Sequence, residues 1–175
     1  MQMKTKMKTA LLSVGLLMGS MSVANASDGT ITFLGSVHSG ACSIKPESVD
    51  QTVRLGAIAK HQLQAGGKSE ARSVKIELEG CDLTGLTDKT VTTSFTASPS
   101  DAVPGAIGTV GGAGGIGIMM THGGKVIELG TPTTPQAITT GNNTLEFGAY
   151  VQGAATADII PGDFSAVTNF TLAYQ

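Results

Sequence analysis

Catalytic and metal-binding residues are scarce in this chain, and the scarcity narrows what it does. His38, His61 and His122 are scattered without ligand spacing, so a metal centre would lack its donors. No serine sits in a G-x-S-x-G elbow, and nothing marks an aspartate to pair with any of the histidines. Glu77 and Glu79 lie two apart on a strand-like run and share one face, which reads as a solvated sheet surface rather than an acid/base pair. The chain therefore reads as a non-enzyme that needs no cofactor and no metal.

Long apolar runs are equally rare. The first 26 residues carry Lys4, Lys6 and Lys8, then "ALLSVGLLMGSM", then "ANA" at 24–26 ahead of Ser27. A basic start, a short apolar stretch and small residues at the cleavage point make a secretory signal peptide over 1–26. The apolar run falls short of the roughly 20 residues a spanning helix needs. No second run of that length follows, so the mature product is expected to be soluble or surface-assembled, with no membrane insertion. Export leaves 149 residues, enough for one domain with an adequate core.

Positive charge is the next deficit. With the three signal-peptide lysines removed, 8 basic side chains face 13 acidic ones, a net charge of -5. Nucleic-acid binding rests on clustered positive charge, and no basic stripe occurs, so that partner class is set aside.

Cysteine is limited to Cys42 and Cys81, an even count that suggests one disulfide in an exported chain. A catalytic thiol would need an activating histidine nearby. Closing a loop of about 40 residues stabilises by roughly 4 kcal/mol in the chain-entropy picture.

What remains is β-pattern. Short alternating or β-branched runs recur at 30–37, 51–58, 73–81, 90–98, 116–121, 125–130, 143–151 and 165–175, divided by turn-forming clusters such as "SPSDAVPG" and "GTPTTPQ". That punctuation predicts an all-β sandwich or barrel. The polar run 60–73 reads as a loop with a helical turn. "GGAGGIG" contains G-x-G-x-x-G at Gly112, Gly114 and Gly117, but strand-like "IGIMMT" follows where dinucleotide binding needs a helix, so the match is fortuitous. "HGGKV" at 122–126 reads as a hairpin turn in which Gly123 and Gly124 supply positive φ. "NNT" at 142–144 and "NFT" at 169–171 match glycosylation acceptors by accident of composition.

The last run is the most regular. Phe164, Ala166, Thr168, Phe170, Leu172 and Tyr174 lie on one parity, apolar except for Thr168, while the other parity is mostly polar. This is a strand with one buried face, and the sequence offers no later strand to pair with its free side. Near the mature start, "DGTITFLGSV" places Ile31, Phe33, Gly35 and Val37 on one face. That segment is either the first strand of its own domain or an arm that fills a groove in another molecule; spacing alone leaves both open.

"ITFLGSVHSGACSI", "QTVRLGAI", "IELEGC", "GIGIMMTHGGKVIELG" and a terminal "AYQ" together resemble the shaft pilins of chaperone-usher fimbriae, the type 1 fimbrial major subunit family, across nearly the whole mature chain. Gly162, fourteenth from the end, and penultimate Tyr174 bracket alternating apolar residues, similar to that family's chaperone-recognition strand. The resemblance implies an incomplete immunoglobulin-like sandwich lacking its last strand, with 27–37 as a donor-strand extension and 38–175 as the pilin domain. Strand addition of this kind is a general recognition mode, of which chaperone-pilin complementation is a standing example.

The resemblance also implies partners and roles. A periplasmic chaperone would lend a strand beside Gly162, Phe164, Phe170, Leu172, Tyr174 and Gln175, holding the terminal carboxylate with basic residues. At an outer-membrane usher the arm of an incoming, identical or related subunit would replace it, with Ile31, Phe33 and Val37 as apolar plugs and Gly35 where the groove has little room. Burying three such side chains is worth roughly 5 to 9 kcal/mol before ordering costs. The product is then a structural subunit of a cell-surface fimbrium that supports adhesion. A minor adaptor pilin and a stand-alone secreted immunoglobulin-like binder are the alternatives; a tip adhesin would need a further lectin domain for which 149 residues leave no room.

Overall fold

The computed structural model describes residues 29–175. The signal peptide assigned to 1–26 lies outside the described residues. The chain divides between Val37 and His38. Residues 29–37 carry no regular secondary structure, and Ile31, Phe33, Leu34 and Val37 are exposed.

The unit from His38 to Gln175 is built of strands. In chain order these are β1 (Ser43–Ile44), β2 (Arg72–Cys81), β3 (Thr90–Thr96), β4 (Val110–Gly111), β5 (Ile116–His122), β6 (Lys125–Val126), β7 (Gln136–Ala137), β8 (Gly141–Gly153), β9 (Phe164–Ser165) and β10 (Asn169–Tyr174). Two single-turn helices, α1 (Pro46–Val49) and α2 (Lys60–Leu63), interrupt the early part. One sheet has the order β1-β2-β8-β5-β6, a second β10-β3-β7, and β4 pairs with β9 alone. All the pairings are antiparallel.

Alternation explains how the sheets face each other. In β2, Val74, Ile76 and Leu78 are buried and the residues between them point out; in β8 the inward set is Leu145, Phe147 and Ala149. Val91 and Phe95 of β3 supply the facing layer, and Phe95 meets Phe147 edge-to-face at 5.0 Å between ring centroids. Buried aliphatic residues from both sheets thus form one core, the arrangement of a sandwich.

Two local devices shape the ladders. Strict alternation would send Cys81 outward, because Leu78 points in and Cys81 is of opposite parity. A bulge between Leu78 and Cys81, with Gly80 at φ 59°, rotates Cys81 into the core, where it bonds Cys42 across a Cα separation of 4.0 Å. The β5–β6 hairpin closes through Gly123 (φ 56°) and Gly124 (φ 79°), as its two-residue glycine turn predicts.

Three expectations differ in detail. The run 51–58 reads as a strand in the sequence, yet it joins no ladder. The run 125–130 pairs only over Lys125–Val126. The terminal run is one continuous pattern but two ladders, since residues 166–168 leave the pairing between β9 and β10. Thr168 explains that break: its hydroxyl donates to the Thr96 carbonyl at 3.2 Å, so the one polar inward residue is satisfied by stepping out of the ladder.

Candidate functional site

β10 pairs with β3 along one edge, with Phe170 opposite Phe95 and Leu172 opposite Thr93. Its other edge has no partner among the described residues. Beside that edge runs an open groove of about 1150 Å³. Residues 49–58 form one wall and 159–170 the other, and the floor includes Ile76, Phe95, Ile118 and Met120. An edge flanked by an apolar trough is the arrangement a sheet presents when a strand can be added to it.

The alternation expected at the end of the chain is present. Phe164, Ala166, Thr168, Phe170, Leu172 and Tyr174 are each partly buried, and the residues between them are exposed. None of the inward six is fully covered, because each packs on the core with one side and faces the groove with the other. Burial pushes the Tyr174 hydroxyl up from its ordinary value. The Tyr174 ring lies 3.4 Å from where a Cβ on Gly40 would be, so Gly40 leaves space for it.

Gln175 is tied down as well. Its N–H donates to the Thr90 carbonyl at 2.9 Å and its carbonyl accepts from the Thr90 N–H at 3.1 Å. Gly162 stands at the far end of the wall, where its own subunit already requires glycine. A Cβ there would fall 2.5 Å from the carbonyl carbon of Gly112 and 2.6 Å from the Ala113 nitrogen. The glycine-rich loop that mimics a nucleotide fingerprint is therefore a packing surface for the 160–163 segment, and Gly114 exchanges backbone hydrogen bonds with Ile160.

The structure brings Phe164, Phe170, Leu172 and Tyr174 onto one side of the open edge. The four arm residues Ile31, Phe33, Gly35 and Val37 lie in the separate 29–37 segment, where Phe33 is 87% exposed and a Cβ on Gly35 would meet nothing within 4 Å. Cys42 and Cys81 form the expected disulfide, both in the core.

Sequence reasoning missed the opposing wall. Val53 and Leu55 pack on the cluster that holds Phe170, and Leu55 and Ile58 on the one that holds Phe164, so 53–58 runs opposite in direction to 164–170 across the groove. The signal was the alternation of Val53 and Leu55 in a run that could be recognised as extended but not as unpaired. Among the described residues no cluster of His, Cys, Asp and Glu could hold a metal ion, and no helix is long and apolar enough to cross a membrane.

Comparison with known proteins gives this groove a context. The profile of the family described as fimbrial protein matches residues 31–175. The chain is 47% identical to the Fimbria A protein of Serratia marcescens, covering 97% of this chain and 99% of that one. It is 42% identical to the major MR/P fimbria protein of Proteus mirabilis, over 99% and 100% of the two chains. Among solved structures, the P pilus rod subunit PapA superposes with a TM-score of 0.71 at 33% identity, covering 78% of this chain and all (100%) of that one. A subunit of a chaperone-usher pilus studied for rod uncoiling gives 0.76 at 32% identity, over 88% and 99%.

Proposed function

The chain belongs to the fimbrial protein family, and from that premise we propose that its groove is closed in turn by a strand lent by a periplasmic chaperone and by the N-terminal arm of the next subunit. The protein is a structural subunit of a surface fimbrium that assembles with related subunits, and its fold is an incomplete immunoglobulin-like sandwich. In the proposed cycle the subunit passes through the periplasm bound to the chaperone and is handed to an outer-membrane usher. There the incoming arm displaces the chaperone strand.

The observation that carries this reading is that both lips of the groove are extended and neither is paired across it. Residues 51–58 join no ladder, and β10 has one free edge. Their backbone N–H and C=O groups are obligatory hydrogen-bonding groups, and a single inserted strand would satisfy both lips while covering the apolar floor. An extended Ile31–Val37 spans about 20 Å at 3.3–3.4 Å per residue, the same as the Phe164–Phe170 lip. In this proposal residues 27–37 are the donor extension, with Ile31, Phe33 and Val37 as plugs and Gly35 at the narrow point, and 38–175 is the receiving domain.

Co-purification of the subunit from periplasm tests the first half: it should emerge as a one-to-one complex with the chaperone, and a free, stable monomer would overturn the proposal. Gel behaviour tests the second half. Assembled protein should run as a heat-resistant ladder, whereas a self-sufficient domain would run as a monomer.

A further inference from the structure

Strand insertion leaves one face of the arm unexplained. With Ile31, Phe33, Gly35 and Val37 turned to the groove, the outward parity reads Thr30, Thr32, Leu34 and Ser36, and Leu34 is the one large apolar residue on it. Leu34 is 93% exposed. On the receiving lip the outward parity reads Ser165, Val167, Asn169, Thr171 and Ala173, and Val167, 79% exposed, is its one large apolar residue. Val110 pairs with Ser165 in the β4–β9 ladder, which sets it diagonal to Val167 on the same outer face, and it too is exposed.

We propose that Leu34 of one subunit seats against Val167 of a second copy on the outer face of the completed sheet, extended by Val110, and that this pair sets the register of the inserted arm. The inference rests on the strand-insertion reading above and adds to it the alignment that the apolar plugs leave ambiguous. A slip of two residues keeps every side chain on its own face, so burial of the plugs penalises it only weakly, but it places Leu34 opposite Ser165 or Asn169. Directly opposite apolar pairs are the unit of sheet stabilisation, so the aligned register is favoured.

Orientation follows from the lips. Because 53–58 and 164–170 run in opposite directions, an inserted strand is antiparallel to one and parallel to the other. Antiparallel pairing is the more stable per residue, and the 164–174 lip offers the longer regular alternation, so the arm runs antiparallel to it. With Leu34 opposite Val167, the inward partners become Ile31 with Phe170, Phe33 with Thr168, Gly35 with Ala166 and Val37 with Phe164. The glycine then meets the smallest side chain on the inward lip.

Cysteine pairs introduced into the full chain read this alignment directly, since directly opposed residues bring their Cβ atoms within disulfide reach. After assembly and mild oxidation, fibres carrying L34C with V167C, and fibres carrying S36C with S165C, should give covalent ladders on boiled, non-reducing gels. Stronger ladders from L34C with S165C or with N169C would overturn the register while leaving strand insertion standing. Cross-linking of S36C with N169C in place of S165C would reverse the arm and overturn the orientation. Fibres visible by electron microscopy that give no ladder from any pair would remove strand insertion along with the register. A charge pair keeps the test open if cysteines block assembly. Leu34→Glu should lower fibre yield several-fold and Val167→Lys in the same chain should restore it; absence of rescue counts against the contact.

Discussion

Thr90 and Gln175 exchange both of their backbone hydrogen bonds, at 2.9 and 3.1 Å, so the last residue of the sequence is a rung of the β3–β10 ladder. The carboxyl end is thereby held at the mouth of the edge that the groove leaves open. Any partner that grips that carboxylate finds it already positioned by β3.

Removal of Ala173–Gln175 takes away the Thr90 rung, the pairs with Thr92 and Val91, and the half-buried Tyr174 ring. The truncated subunit should no longer be captured by the chaperone. Recovery of the normal complex from periplasm would count against assigning this edge to the chaperone.

Gly35→Asn separates assembly from folding. A side chain at Gly35 meets nothing within 4 Å in the subunit, so its fold and its capture by the chaperone should be unchanged. Inserted into a neighbour's groove, the polar side chain would need both space and hydrogen-bond partners. Fibre yield in electron micrographs should collapse; unchanged yield would refute the role given to Gly35.

Gly162→Ala should damage the receiving subunit itself. Its Cβ would strike the backbone of Gly112 and Ala113, which cannot yield as a flexible side chain does, at a cost of about 1–3 kcal/mol. Gly112→Ala is the matched control, since a Cβ there meets only the Gly162 Cα at 3.9 Å. Urea midpoints of the two chaperone-bound variants should differ, with the Gly162 variant the weaker.

Tyr174 gives a pH dependence. Burial raises its folded-state pKa above the unfolded value of 10.0, so the folded form holds the proton more tightly. Its contribution is fully present below pH 10 and is lost as pH rises through the folded-state pKa. Fibres should therefore lose resistance to dissociation in strong alkali, and Tyr174→Phe should shift that onset upward in pH relative to the parent. Coincident profiles for parent and variant would show that Tyr174 does not titrate on dissociation.

Replacing Cys42 and Cys81 together by serine opens a loop of sequence separation 39 in a core position. The cost, about 4 kcal/mol in the chain-entropy picture, is a large share of a small domain's stability. Periplasmic yield of the double variant should fall sharply, and parity with the parent would show the bridge to be dispensable.

Much of the site is legible in the residue pattern, and the reason is geometric. Period-two alternation reports which side of a strand meets apolar surface, so Phe164 to Tyr174 can be sorted into inward and outward sets with no structure. The Gly123–Gly124 turn is legible because only a positive-φ pair closes a two-residue hairpin of that hand. The wall at 51–58 is not legible as a wall. Val53 and Leu55 alternate as they would in a paired strand, and nothing local distinguishes a segment with a hydrogen-bonding neighbour from one without. Gly162 is a second such case, since its need for glycine comes from Gly112 and Ala113, fifty residues away in sequence.

Composition and alternation alone thus dictate an all-β chain, its single cross-link, the faces of its strands and an apolar arm ahead of Cys42. The fold adds that the core is left open along one line, between 51–58 and 164–174. Side-chain pattern records contact with apolar surroundings, which is a property of each residue. Strand pairing depends on which backbone lies 4.8 Å or so to either side, and that is decided when distant segments come together.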